Sequence, residues 1–246
     1  MSNTKIPNEE LRIYSIVSKN FKRVFDIGCR DDIDYHEIKS DCEYHLFEPS
    51  TDAIKSIKVK IGKLGKHNII LNEFGLSDIN KDNCVYYDNV QSFKPHWYVP
   101  SHDTGHRYSL KKLDDYVNDN KINSIDMVKI DVEGLDYNVI LGGVETIQKI
   151  TSYIQLEYSG GIKQYLDKLT NFNFYLMVEP RLLEVINKHN NTGTDFNKGL
   201  VNLTDKEISF IDNTISKTGA GGNIFGIHKN INVNEVYKDE LFFKVI

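Results

Sequence analysis

Two carboxylates stand two positions apart in Lys129-Ile130-Asp131-Val132-Glu133-Gly134, at the end of an apolar run. On an extended strand end that spacing turns both side chains to the same side. Gln155-Leu156-Glu157-Tyr158 closes another apolar run in the same way, so Asp131, Glu133 and Glu157 are expected to converge on one cleft. Such a group can act as a general base whose pKa rises through mutual repulsion, with Asp131 or Glu133 favoured as that base. It can also hold a hard divalent cation such as magnesium or calcium, for which Asp131 and Glu157 are the candidate ligands. A structural role stays open beside these, with Glu133 capping a helix that starts at Asp136 and Asp131 bracing a cofactor. His96, His102 and His106 lie upstream with Trp97, Tyr98 and Arg107. His102 and His106 are further candidates for the base, and the aromatic rings for stacking on a ligand. Arg181 and His189 are placed where they could meet an anionic group.

A cofactor signal stands earlier in the chain. Val24-Phe25-Asp26-Ile27-Gly28 is an apolar strand that meets an acidic residue and a glycine, followed by Cys29, Arg30, Asp31 and Asp32. Ligands of open α/β sheets bind beyond the carboxyl ends of the strands, where a glycine lets the chain turn close against them. Tyr44-His45-Leu46-Phe47-Glu48-Pro49 is a second strand ending in a carboxylate, and a carboxylate about 20 positions beyond such a turn is the expected acceptor for two ribose hydroxyls. A dinucleotide site would need further glycines for its pyrophosphate, which Asp31 and Asp32 would repel. S-adenosylmethionine has no pyrophosphate and carries positive sulfonium and amino groups, so an acidic mouth suits it.

The elements that must hold these residues are short β-branched and aromatic runs alternating with helical patterns, the mark of a parallel sheet covered by helices. Strands are expected at Arg23–Ile27, Tyr44–Glu48, Asn68–Asn72, Met127–Asp131, Ser152–Glu157, Phe172–Val178 and Asn223–His228, which makes seven. Helices are expected at Glu9–Asn20, Thr51–Lys63, Leu110–Asn118, Asp136–Lys149 and Gly161–Thr170, each of the later ones long enough for a right-handed crossover. Segments 83–107 and 181–222 interrupt this alternation and read as substrate loops or a lid on one domain spanning residues 1–246.

A net charge of -5 over 246 residues disfavours a nucleic-acid partner. The basic run from Lys55 to Lys66 alternates with apolar residues, as on the solvated face of a helix. Cys29, Cys42 and Cys84 lack metal-ligand spacing and suit free thiols in a reducing compartment. With no leader-like start and no span of about 18 apolar residues, a cytoplasmic protein is expected, open to homo-oligomerisation.

VFDIG, HLFEPS, LNEFGLSD, SLKKLDDYV and MVKIDVEGLDYNVILGG followed by IQLEYS, in this order, resemble the successive motifs of FkbM-family methyltransferases, and NIFGIHK is similar to the family's closing strand. The resemblance implies a Rossmann-like class I methyltransferase fold with helices on both faces of a seven-stranded, mostly parallel sheet whose last strand is antiparallel. It implies transfer of a methyl group from S-adenosylmethionine to a hydroxyl of a small acceptor, a sugar of a surface polysaccharide or a nucleotide-linked sugar precursor. The cofactor would be held by Asp26, Gly28, Cys29 and Arg30 on its methionine side, by Glu48 and Pro49 at the ribose, by Asn72, Gly75 and Ser77 along the adenine, and by Asp131. Asp32 departs from the family pattern, which has a second glycine there. That departure keeps alive the alternative of a non-catalytic binding module; a nucleic-acid methyltransferase is the less favoured rival.

Overall fold

A computed structural model describes residues 9–31, 41–65, 68–87, 103–158, 161–177, 180–196, 200–218 and 222–232. The chain runs α1 (Glu9–Val17), β1 (Arg23–Ile27), β2 (Glu43–Phe47), α2 (Thr51–Leu64), β3 (Ile69–Asn72), β4 (Gly75–Leu76), β5 (Lys81–Tyr87) and β6 (Asp103–Lys111). It continues through α3 (Leu113–Asp119), β7 (Ile125–Ile130), α4 (Asp136–Leu141), α5 (Val144–Ile150), β8 (Thr151–Tyr158), α6 (Ile162–Leu166) and β9 (Phe172–Met177). The last elements are α7 (Pro180–His189), β10 (Leu200–Asn202), α8 (Asp205–Thr218) and β11 (Gly222–His228).

The main sheet has the order β10-β9-β11-β8-β7-β1-β2-β3. β3, β2, β1, β7 and β8 are mutually parallel, whereas β11 runs antiparallel to both β8 and β9. β1 and β2 are buried on both faces after their first residue, as strands covered by helices on either side must be. On one face α1 packs Ile13, Tyr14 and Val17 against Val24, Tyr44, Met127, Tyr153 and Phe225, while α2 sets Ile57 on Leu46 and Cys29. On the other, Phe25, Ile27, Phe47, Val128, Ile130, Ile154 and Leu156 meet apolar residues of α3, α4 and α5, with α6, α7 and α8 in the same cluster.

All seven expected strands are present, and the structure adds to them. The eighth strand of the main sheet is β10, which pairs with the edge of β9 from inside the expected insertion at 181–222. The other insertion contributes to a separate three-stranded sheet of order β4-β6-β5. Leu110 and Lys111 pair there with Gly75 and Leu76, so the helix expected from Leu110 starts instead at Leu113. The helix expected over Asp136–Lys149 is two helices, α4 and α5, separated by Gly142 and Gly143. A β-carbon on Gly142 would lie 1.9 Å from the carbonyl oxygen of Ser77, so the break admits a close chain contact that a continuous helix would block.

Lys55 and Lys58 of α2 are exposed and Lys60 is half-buried, and they pair with Asp52, Glu73 and Asp31, as a solvated helix face would. Cys29, Cys42 and Cys84 are free and buried. Among the described residues no helix is long and apolar enough to cross a membrane.

Candidate active site

Register brings the candidate residues to one edge. Ile27 is level with Phe47 on β2 and Ile130 on β7, so the next residues of the three strands, Gly28, Glu48 and Asp131, emerge side by side. The backbone ties them further: Gly28 N donates to Phe47 O at 3.0 Å and Asp131 N to Ile27 O at 3.0 Å. Gly28 has φ +83, and a β-carbon there would stand 1.9 Å from Asp131 O. Both its left-handed backbone and its lack of a side chain are therefore required.

Glu48 is buried at 4% exposure. Its Oε2 accepts the N–H of Arg30 at 2.9 Å and its Oε1 that of Ser50 at 2.7 Å. Burial raises its pKa and the two N–H groups oppose the rise. Each oxygen keeps room for one more donor. Arg30 itself is exposed, with φ +53. Asp26 is buried one pleat below Gly28, and the Cys29 thiol is pushed well up by burial, which leaves it a packing group rather than a nucleophile.

Behind Glu48 runs a buried polar chain on the α3 face. The Asn72 carboxamide donates to Leu46 O at 3.2 Å and hydrogen-bonds Tyr116, whose hydroxyl lies 2.7 Å from His45 Nδ1. His45 Nε2 lies 2.8 Å from Glu43 Oε1, and Arg23 Nε donates to that oxygen at 2.6 Å. Glu48 N in turn donates to Asn72 O at 3.1 Å, so this chain fixes the strand ends that carry Glu48. Pro49 packs on Gly75, where an added β-carbon would lie 3.4 Å from Pro49 Cγ. Ser77 is buried, its hydroxyl donating to Asp78 at 3.0 Å.

At the β7 and β8 ends, Asp131 hydrogen-bonds Glu157. Burial raises the Glu157 pKa to about 8, with that hydrogen bond and the charges of Asp131, Asp136 and Glu133 adding to it. Burial therefore favours the protonated form of Glu157, which can donate to Asp131. Lys129 Nζ lies 3.4 Å from Asp131 Oδ2 with a side chain only 15% exposed, a cation inside the acidic cluster. Asp136 is buried and accepts the N–H groups of Val132 and Gly134, both at 3.1 Å. Its carboxylate therefore shapes the loop ahead of α4, the helix that the sequence offered Glu133 to cap and that carries no side-chain cap hydrogen bond. Burial lifts Asp136 to about 6. Glu133 is exposed, with φ +56, a strained conformation for a residue other than glycine.

His106 is exposed on β6 and near enough to Asp52, in the first turn of α2, to act on its charge. His189 is exposed at the end of α7, the helix that also carries Arg181. Asp32, His96, Trp97, Tyr98 and His102 lie outside the described residues. Among those described, no group of three or more His, Cys, Asp or Glu side chains could hold a metal ion. Lys129, Gln155 and the His45–Tyr116 pair are the polar residues that sequence reasoning passed over. The alternation of β7 and β8, which puts Lys129 with Asp131 and Gln155 with Glu157, was the available signal.

The profile described as the methyltransferase FkbM domain matches residues 26–182, from Asp26 across every strand end just described. This chain belongs to the FkbM methyltransferase family. It is similar to the 2-O-methyltransferase NoeI of Sinorhizobium fredii, 26% identical over a 167-residue alignment, with 60% of this chain and 68% of that protein covered. Among solved structures, the methyltransferase FkbM of Methylobacillus flagellatus is similar at a TM-score of 0.45 and 10% identity, with 63% of this chain covered and only 40% of that one. An rRNA methylase of Streptococcus thermophilus is similar at a TM-score of 0.47 and 11% identity, over 92% of this chain and 99% of its own.

Proposed function

We propose that this FkbM-family chain is an S-adenosylmethionine-dependent O-methyltransferase, with one methyltransferase domain that acts on a hydroxyl of a small, sugar-like acceptor. The observation that carries the reading is the delivery of Glu48 and the Asp131–Glu157 pair to one edge of the parallel sheet. Glu48 is a buried carboxylate whose two oxygens each accept one backbone N–H and retain an acceptor position, which suits a ribose diol. Gly28 keeps the turn beside it free of a side chain. The residues therefore fit an adenosyl cofactor, with Asn72, Pro49, Gly75 and Ser77 lining the approach beyond Glu48. When bound, the sulfonium supplies an electrophilic methyl group.

An alcohol must lose its proton as it attacks, and the group that takes it must sit within hydrogen-bond reach. Asp131 is that base: its carboxylate oxygen accepts the proton of the acceptor hydroxyl. Glu157, protonated, donates a hydrogen bond that orients Asp131, and the Lys129 ammonium offsets the charge of the acidic cluster. Glu133 stands exposed beside them and is assigned to the mouth of the site. The name of NoeI supports oxygen as the methylated atom, and the family resemblance supports a sugar. Asp131 and Glu157 alone make a poor hard-cation site, so no step is assigned to a metal.

A methyl-transfer assay against a panel of nucleotide sugars and free sugars, with and without EDTA, tests this. Turnover that is indifferent to chelator and falls about 10²-fold or more in Asp131→Asn supports the reading. Loss of turnover in chelator, or an unaffected Asp131→Asn variant, overturns the assigned base.

A further inference from the structure

Gln155 is 1% exposed, yet among the described residues neither its side-chain nitrogen nor its oxygen has a hydrogen-bond partner. Burying an amide without partners destabilises a fold, and native proteins rarely tolerate it without a use for the group. The position of this one is specific. In the sheet it is level with Lys129 on β7, which is level with Asp26 on β1. Along β8 it precedes Glu157 by two residues, so both side chains leave the same face, Gln155 one pleat below. Above it on the same face lie Asp131 and Glu157, the first with a side chain 33% exposed.

We propose that the Gln155 carboxamide is the acceptor-recognition group of this site and that it binds a vicinal diol, the hydroxyl beside the one that is methylated included. The inference rests on the methyl-transfer reading above. The order of strands along the edge carries it. Glu48 on β2 and Gly28 on β1 take the cofactor, Asp131 on β7 takes the proton, and β8 lies on the far side from the adenosyl group. Adjacent strands are about 4.8 Å apart, so Gln155 lies about 10 Å from β1, beyond the cofactor's strand ends. A carboxamide presents one acceptor and two N–H donors side by side. One hydroxyl of a diol donates to Oε1 while its neighbour accepts from Nε2, a pairing that a lone alcohol makes only in half. The site therefore selects polyhydroxylated acceptors over simple alcohols.

The test is Gln155→Leu, with Gln155→Met as a second shape-matched variant should the first not fold. S-adenosylhomocysteine titration serves as the control. Replacement of an unpartnered buried amide by an apolar side chain is expected to raise the melting temperature by about 2–4 °C. The same variant is expected to raise the acceptor KM about 10-fold or more and to leave the S-adenosylhomocysteine Kd unchanged. A crystal of the wild-type S-adenosylhomocysteine complex soaked in glucose is expected to show two sugar oxygens within hydrogen-bond distance of the Gln155 amide. A more stable variant with unchanged acceptor KM overturns the proposal, as does a soaked crystal with only an enclosed water at Gln155. A weakened S-adenosylhomocysteine Kd overturns it too, by assigning the amide to the cofactor. If the wild type fails to bind S-adenosylhomocysteine, the methyl-transfer reading itself falls, a result distinct from all of these.

Discussion

The β-carbon that Gly28 lacks would stand 1.9 Å from the carbonyl oxygen of Asp131, so the turn after β1 and the carboxyl end of β7 are in direct backbone contact. Gly28→Ala must push these two strand ends apart and also hold alanine at φ +83. The left-handed conformation alone costs about 1–2 kcal/mol, before the clash. A thermal melt is expected to show a fall of several degrees, with S-adenosylhomocysteine binding lost. A variant that melts and binds like the wild type would mean that the contact is not as close as described.

The Asp131–Glu157 pair makes a pH statement. Burial and the neighbouring Asp131 raise the Glu157 pKa to about 8 from an ordinary 4.5. A raised carboxyl pKa means that the folded state holds the proton longer than the unfolded one, so stability falls as pH rises between these two values. Glu157→Gln keeps a hydrogen-bond donor toward Asp131 and removes the titration. Its turnover is expected to stay within about 10-fold of wild type, with the inflection near pH 8 gone, whereas Glu157→Ala loses more. A pH–rate profile of Glu157→Gln that still bends near 8 would assign that ionisation elsewhere.

His45 acts in the opposite direction. Burial lowers its pKa below the ordinary 6.5, against the pull of Glu43. The unfolded chain therefore takes up a proton that the folded chain resists, and the protein loses stability as pH falls below about 6.5. His45→Phe cuts the Tyr116–His45–Glu43 chain and leaves the Tyr116 hydroxyl with Asn72 alone, at a cost of about 0.5–1.5 kcal/mol for the lost hydrogen bond. Denaturant melts are expected to show this loss at pH 8 together with a shallower decline toward acid. An acid limb identical to wild type would mean that His45 does not set it.

Much of the sheet was legible because parallel strands read as apolar runs and their ends carry the punctuation: Gly28, Pro49 and Gly134. What stayed hidden depends on contacts between distant segments. Nothing local to Leu110 shows that it pairs with Gly75 in a second sheet, and the split between α4 and α5 follows from the approach of Ser77 to Gly142. In the site, Asp131 and Glu157 were found from their place at the ends of apolar runs. The entry to α4, which the sequence offered Glu133 to cap, is held by Asp136 instead, because only the folded chain turns Asp136 back onto the N–H groups of Val132 and Gly134. Lys129 and Gln155 read as ordinary strand residues until the register placed them in one row with Asp26.

The proposed cofactor site turns on Glu48 as the carboxylate that holds the adenosyl ribose. Calorimetric titration of S-adenosylmethionine into wild type and Glu48→Ala tests it directly. One cofactor per chain is expected in the wild type, with binding weakened in the variant by the value of two charge-assisted hydrogen bonds, about 3 kcal/mol or roughly 100-fold. No heat at millimolar cofactor in the wild type, or equal dissociation constants for the two proteins, would contradict it.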